Sequence, residues 1–174
     1  YSLREQAKKD AVAMLKSVAK MGYKGVETAG LYDMKASELR RIVELVPCTQ
    51  VGIRSLSREE SRVIPSLRTR VFWDHAMRQD PDWIDKVVEG LSEAVYITID
   101  ADGLDPAIMP AVGTPEPGGL SWPETTALLK AVLSRRRVVA CDLVELNPLP
   151  GMVGPNFLCA KLIYKILSYR FRQA

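Results

Sequence analysis

The sequence predicts an α/β protein of three layers (αβα), in which helices cover both faces of a mostly parallel sheet. Short apolar runs alternate with amphipathic helical segments along the chain, which is the pattern of such folds. These runs are almost continuously apolar, as is typical of strands that are buried on both faces. Asp100, Asp102 and Glu145 directly follow two of the runs, and ligands bind open α/β sheets at the carboxyl ends of their strands.

Four apolar runs are predicted to join one mostly parallel sheet, and a further short strand is predicted between them. The four are Lys24–Glu27, Gln50–Arg54, Val95–Ile99 and Val138–Val144, and the short strand is Arg70–Trp73.

Helical segments connect these strands. Ser121 and Glu124 have the spacing of a capping box, and Ser2 and Glu5 share that spacing, so both pairs are expected to begin helices. The helix after Ser121 is predicted to bury Ala127, Leu128, Ala131 and Val132. A last helix is predicted to carry the apolar residues Leu158, Leu162, Ile163, Ile166 and Leu167.

Composition excludes several classes of protein. The 174 residues are 47% hydrophobic and 26% charged, and the net charge of +3 is too small to indicate a nucleic-acid partner. No apolar run approaches the roughly 20 residues of a membrane helix, and the beginning of the sequence lacks a signal-peptide pattern. The three cysteines form no CxxC pair, so neither disulfides nor zinc are expected and the cytoplasm is the predicted location.

The segment from Val95 to Gly119 carries the chemistry that the sequence indicates. Residues two apart in a strand point to the same side, so Asp100 and Asp102 are expected to point together beyond the end of the strand. Two adjacent carboxylates need a cation or a shared proton, and oxygen ligands favour magnesium, calcium or manganese. A solvated Asp-x-Asp-Gly turn is the alternative, whereas the spacing fits a calcium-binding EF-hand loop poorly.

The motif of this segment resembles that of the ureohydrolases, the arginase and agmatinase family. The resemblance rests on Thr98–Pro106, Pro110 and Gly113–Gly119, and CDLVELNPLPG, which contains Glu145, resembles the last strand motif of that family. It covers residues from about 49 to 174 and implies an arginase-like fold. It also implies manganese-dependent hydrolysis of a small guanidino compound such as agmatine to urea and an amine, by a homo-oligomer.

The resemblance also implies roles for individual residues. Asp100 and Asp102 match metal ligands, Asp102 is assigned to catalysis as well, and Asp105 is expected to order the turn or to support the ligands from behind. Glu145 is expected to bind the substrate guanidinium, because a carboxylate accepts this planar group bidentately; a structural salt bridge is the alternative. Ala101 stands where the family usually carries a larger aliphatic residue.

Two further ligand segments of the family, Gly-Gly-Asp-His and Asp-Ala-His-x-Asp, are absent from the sequence. The fold is therefore expected to be incomplete relative to the family, and activity is expected to be impaired. Glu27 and Asp33 would complete the site only if their strand takes a vacant place in the sheet; otherwise they are solvated charges. The only histidine, His75, is interpreted as a surface or capping residue, and Arg135–Arg137 as a solvated helix end.

Residues 1–46 differ from the remainder. YSLREQAKKD and AKMGYKGVETAGLYDMKASELRRIV resemble the beginning of xylose-isomerase-like sugar phosphate isomerases and epimerases. The sequence therefore predicts a strand-helix opening over 1–46, packed into the same domain as a ureohydrolase-like part over 47–174. Two alternatives stay open: a non-catalytic recombined or truncated chain that acts through association, and a sugar phosphate isomerase.

Overall fold

The computed structural model describes residues 47–67 and 69–171, and this part of the chain forms parallel strands connected by helices. The strands are β1 (Cys48–Ile53), β2 (Thr69–Trp73), β3 (Ala94–Asp100) and β4 (Arg137–Val144). The helices are α1 (Arg58–Val63), α2 (Asp74–Met77), α3 (Trp83–Glu89), α4 (Trp122–Arg135) and α5 (Gly154–Phe171). The predictions for Lys24–Glu27, Glu27, Asp33 and the rest of 1–46 lie outside the described residues.

All strand pairing in the described part of the chain is parallel, as predicted. β1 pairs with β2 and β3 pairs with β4, with Asp100 opposite Val144. The single sheet that the sequence predicts is not found among the described residues, because the two pairs form separate two-stranded sheets. Residues of β1 and β3 instead line a common cavity of about 650 Å³. These two strands therefore carry no backbone ladder between them in this part of the chain.

Helices α4 and α5 cover the sheet formed by β3 and β4. Leu129 and Leu133 of α4 form one buried cluster with Leu162 and Ile166 of α5. The partly buried side chains packed against this cluster include four from the two strands: Ile97, Ile99, Val138 and Leu143. Removing such aliphatic surface from water contributes about 25 cal/mol per Å², so this apolar layer holds the helices against the sheet.

The buried face of α4 differs from the predicted one. Its buried residues are Thr125, Leu129, Val132 and Leu133, whereas Ala127 is exposed and Leu128 and Ala131 are half buried. Apolar residues occur around much of this helix, so periodicity leaves its rotation undetermined. The contact with α5 decides which face is buried.

One smaller prediction, the exposure of His75, is confirmed, and another, the solvated helix end at Arg135–Arg137, is partly wrong. His75 is exposed on α2, and none of the three cysteines forms a disulfide. Arg135 is exposed and pairs with Asp85 at 2.7 Å, but Arg136 is half buried and donates to the carbonyl of Val88 at 2.7 Å. The predicted solvated helix end is therefore wrong at Arg136. None of the described helices has both the length and the apolar character needed to cross a membrane.

The capping box that begins α4 makes a pH-dependent contribution to stability. Burial raises the pKa of Glu124, but hydrogen bonds from Ser121 and the contacts with Arg78 outweigh burial and hold this pKa below its ordinary value of 4.5. The ionised carboxylate therefore stabilises the fold above pH 4.5, and this contribution is lost as the pH falls through the lowered folded pKa.

We predict that Glu124→Gln lowers the free energy of unfolding at pH 7 by less than about 1 kcal/mol, because its ion pair with Arg78 is partly exposed. The difference from the wild type should disappear in strong acid, and urea denaturation at several pH values measures it. Exposed Glu93 is the control position, where Gln should have little effect. A deficit that persists in acid would show that Gln disturbs packing instead.

Candidate functional site

The loop that follows β3 is closed at its base by the backbone. A 3₁₀ turn at Ala101–Gly103 continues directly from β3, and Leu104 forms a β-bridge with Leu120. The amide of Asp105 donates to the carbonyl of Leu120, and the amide of Leu120 donates to the carbonyl of Gly103, both at 3.0 Å. These contacts therefore hold the two ends of the loop of residues 105–119 together.

Two glycines make this closure possible. Gly118 and Gly119 have φ angles of 87° and 95°, a region that other residues rarely adopt. A Cβ atom at Gly119 would lie 2.8 Å from the carbonyl carbon of Leu104. Any side chain at Gly119 would push the two limbs of the loop apart, so both the backbone angle and the space require glycine.

The apolar side of the loop forms part of the protein core. Ala101, Met109 and Ala111 have no exposed surface, and Leu104 is 3% exposed. Most of these side chains belong to a buried cluster that also contains Trp83 of α3. Packing of these buried side chains therefore holds the loop against the protein core.

Asp100 and Asp102 both line the cavity beside β1, but for a reason other than the predicted one. Asp100 is the last residue of β3, whereas Asp102 lies in the 3₁₀ turn. The amide of Asp102 donates to the Asp100 carboxylate at 2.8 Å. Strand alternation does not apply to Asp102, so this local turn brings the two carboxylates to the same cavity.

The electrostatic environment of Asp100 is anionic. Burial raises the pKa of Asp100, and the charges of Asp102 and Glu145 raise it further. The backbone hydrogen bond from Asp102 and the positive charge of Arg54 oppose this rise. Two further carboxylates therefore act on Asp100 at this edge of the sheet, and a cation placed there would relieve this repulsion.

Asp102 is the carboxylate best suited to a cation. Its Oδ2 accepts a hydrogen bond from the Thr114 hydroxyl at 3.2 Å, but its Oδ1 is buried and has no hydrogen-bond partner. A buried charged oxygen without a partner is costly, and a hard metal ion is a suitable one. No group of three or more His, Cys, Asp or Glu residues suited to a metal occurs within 47–67 and 69–171, so this edge fits only part of a ligand shell.

Glu145 lies at the same edge as Asp100. It follows Val144, the residue that pairs with Asp100 in the register of β3 and β4. It has a φ of 63°, in the left-handed region that costs a non-glycine residue about 1–3 kcal/mol. The alternative of a structural salt bridge is not found within the described ranges, where no arginine or lysine pairs with Glu145. Glu145 is half buried, and it does not belong to the residues that line the cavity beside Asp100 and Asp102.

Asp105 orders the beginning of the loop. Its Oδ1 accepts the amide of Ala107 at 2.8 Å, and its carbonyl accepts the amides of Ile108 and Met109 at 2.9 Å. A side chain that caps its own turn in this way is typical of aspartate. This position agrees with one of the two roles expected for Asp105.

Two residues near the carboxylates, Arg54 and Thr114, are not predicted from the sequence to belong to the site. Arg54 directly follows β1 and donates to backbone carbonyls of the loop after β3, and Thr114 contacts Asp102. A basic residue at the carboxyl end of a predicted strand is a signal for Arg54. Thr114 offers no comparable signal, because its contact depends on how the loop folds back.

Known proteins share this fold and motif. A sequence model of the arginase family matches residues 22–168. The N(1)-aminopropylagmatine ureohydrolase of Synechocystis is 40% identical over 136 residues, which cover 77% of this chain and 44% of that protein. The agmatinase of Pyrococcus horikoshii is 33% identical over 134 residues, which cover 76% and 47% of the two chains.

A solved structure is also similar to this chain, in fold and in sequence. The agmatine ureohydrolase of Thermoplasma volcanium superposes with a TM-score of 0.67 and 32% identity, covering 85% of this chain and 51% of that one. The described part of the chain has an α/β fold of the arginase kind, as predicted. The chain belongs to the arginase family, and it spans about half the length of these relatives. The match begins at residue 22, within the segment that resembles a sugar isomerase, and that second resemblance stays a prediction.

The repulsion among the three carboxylates leads to a prediction for the metal-free protein. Asp100→Asn keeps an oxygen that accepts the amide of Asp102 but removes one negative charge and the desolvation of that charge. We expect a higher free energy of unfolding at pH 7, measured by urea denaturation after removal of metal with a chelator. Asp85→Asn, which removes an exposed carboxylate, should change stability by no more than about 0.5 kcal/mol. Lower stability in Asp100→Asn would show that a partner favours the ionised carboxylate.

Proposed function

We propose that this chain carries part of a ureohydrolase active site, which acts on a linear guanidino compound to release urea and an amine. The observation that carries the proposal is the anionic edge formed by Asp100, Asp102 and Glu145, with one oxygen of Asp102 buried and unpartnered. A guanidinium substrate and a divalent cation are both positively charged, so the same edge attracts both. Membership of the arginase family supports this choice of reaction.

Each carboxylate has a separate role in the proposal. Asp100 and Asp102 would hold manganese, which when bound lowers the pKa of a coordinated water and so supplies a nucleophile at neutral pH. Glu145 accepts the N–H groups of the substrate guanidinium and orients it toward the cavity edge. Asp105 keeps the turn that precedes the loop in shape through its bond to Ala107. Thr114 donates to one oxygen of Asp102 and leaves the other without a protein partner, so that it would be free to hold the cation.

The proposed substrate class is agmatine and its amine derivatives. Matched relatives are named for agmatine or N(1)-aminopropylagmatine, and these compounds carry an amine where arginine carries an amino acid group. An anionic edge favours substrates with added positive charge and disfavours a substrate carboxylate. Agmatine and N(1)-aminopropylagmatine should therefore bind more tightly than arginine.

The 174-residue chain alone is proposed to be an impaired enzyme. A hard cation of this kind takes about six ligands, and Asp100 and Asp102 supply two side chains. The sequence contains one histidine, which is exposed on α2, and lacks the two further ligand motifs of the family. Binding of a guanidinium without an activated nucleophile gives no turnover.

We predict that the chain binds manganese weakly and releases little or no urea from agmatine, N(1)-aminopropylagmatine or arginine. Titration of Mn²⁺ monitored by electron paramagnetic resonance measures binding, and a colorimetric urea assay measures turnover. Asp100→Asn should weaken binding about tenfold or more, because the number of charged ligands sets affinity. The exposed Asp85→Asn is the matched control.

Two outcomes would change this proposal. Urea release that is lost in Asp100→Asn would show that other groups complete the ligand shell, and the chain would be an active enzyme. Manganese binding that is equal in the wild type and Asp100→Asn would remove these carboxylates from the metal site. In that case the non-catalytic alternative would be favoured. The sugar isomerase alternative rests on residues 1–46, and a sugar phosphate isomerisation assay tests it.

We also propose that the chain self-associates. Its exposed apolar side chains include five residues at or beside one helix, α5: Val153, Phe157, Tyr164, Leu167 and Phe171, which are 76%, 70%, 63%, 50% and 70% exposed. Their spacing of three, four or seven residues places them along one stripe of the helix. An exposed apolar stripe of this kind favours association.

Light scattering during size-exclusion chromatography at tens of micromolar tests self-association. We expect a mass above that of one chain, and Phe157→Lys should reduce it, because it places a charge in the middle of the stripe. Ala127→Lys adds the same charge to the exposed surface of α4 and should leave the mass unchanged. A wild-type protein that elutes as a monomer would contradict the proposal.

A further inference from the structure

Arg54 connects the end of β1 with the loop that follows β3. Its side chain extends from the end of β1 into the loop that follows β3, where Nη2 donates to the carbonyls of Asp102 at 2.7 Å and Glu116 at 2.9 Å. Its Nε donates to the carbonyls of Glu116 and Pro117, both at 3.2 Å. One half-buried guanidinium therefore binds the first limb of the loop and the last limb at the same time.

The geometry of these contacts requires a guanidinium. Its N–H donors lie in one plane and point in fixed directions, and here Nε and Nη2 donate to the carbonyls of Asp102, Glu116 and Pro117. Within 47–67 and 69–171, no carboxylate forms an ion pair with Arg54, so its hydrogen bonds are made to the backbone.

Asp102 is held at three points, because its amide donates to the Asp100 carboxylate at 2.8 Å and its carbonyl and carboxylate each accept a hydrogen bond. Its carbonyl accepts from Arg54 at 2.7 Å, and its carboxylate accepts from Thr114 at 3.2 Å. The direction of its side chain depends on the orientation of its own backbone, which the bond to Arg54 restrains. We expect loss of that bond to loosen the orientation of Asp102 in the turn at Ala101–Gly103 and, with it, the direction of its carboxylate.

We propose that Arg54 is a positioning residue that holds the Asp102 turn in the orientation needed to present its unpartnered oxygen to a cation. Arg54 touches neither the cation nor the substrate in this role. The identity of the cation as manganese rests on the proposed function. The effect of Arg54 on the order of the loop does not depend on it.

Hydrogen exchange followed by mass spectrometry tests the effect on the loop without any metal. The amides of Asp105, Ala107 and Leu120 are hydrogen-bonded inside or at the base of the loop, so their protection reports its order. In Arg54→Ala we expect faster exchange across residues 101–120 and unchanged exchange in α4. Arg54→Lys keeps the charge but loses the planar donors, and it should exchange as fast as Arg54→Ala.

Manganese titration tests the effect on the ligand. Loss of a group that orients a metal ligand commonly costs about 10- to 100-fold in affinity, and we expect a loss of this size in both Arg54 variants. Arg135→Ala is the control, since it removes an arginine whose ion pair with Asp85 is exposed, and it should leave both readouts unchanged. Circular dichroism establishes that each variant is folded, and Arg54→Lys carries the comparison if Arg54→Ala is not.

The two measurements separate the two proposals. Unchanged loop exchange in folded Arg54→Lys and Arg54→Ala would overturn the positioning role, whatever the protein binds. Faster loop exchange with unchanged manganese affinity would also overturn it, because Arg54 would then only stabilise the loop. A wild-type protein that does not bind manganese would refute the proposed function, while the exchange result would still decide whether Arg54 holds the Asp102 turn.

Discussion

The close contact between the backbone at Gly119 and the carbonyl group of Leu104 is the constraint on which the rest of the site depends. At a distance of 2.8 Å from a Cβ position to the Leu104 carbonyl carbon, only glycine lets the two limbs of the loop meet. Once they meet, Met109 and Ala111 are buried beneath the loop, and the carbonyls of Glu116 and Pro117 come within reach of Arg54. The contacts of Arg54 with the last limb of the loop therefore depend on this backbone closure.

Several features of the site lower the free energy of unfolding. Burial and neighbouring charges raise the pKa of Asp100, Asp102 keeps an unpartnered buried oxygen, and Glu145 adopts a left-handed backbone angle. Each of these features costs free energy in the protein as the structure shows it. The buried residues of α4 and α5, with those beneath the loop, provide the stability that offsets these costs.

Membership of the arginase family and the arrangement of the site are separate conclusions that support each other. The family match and the relatives concern a chain about twice as long as this one, whereas the anionic edge is a property of the described residues themselves. Local sequence places Asp100, Asp102 and Asp105, which lie at the end of β3, in the 3₁₀ turn and at the beginning of the loop. Glu145 reaches the same edge through the parallel register of β3 and β4.

The sequence by itself determined the parallel α/β class, the approximate limits of the four described strands, the capping box of α4 and the segment that carries the carboxylates. These features depend on contacts between residues close in the chain, which composition and periodicity record. Only the tertiary structure decided which face of α4 is buried, that the described strands form two pairs, and that Arg54 binds the carbonyl of Asp102. Those outcomes depend on contacts between distant segments, such as the 48 positions between Arg54 and Asp102, and no local pattern specifies them.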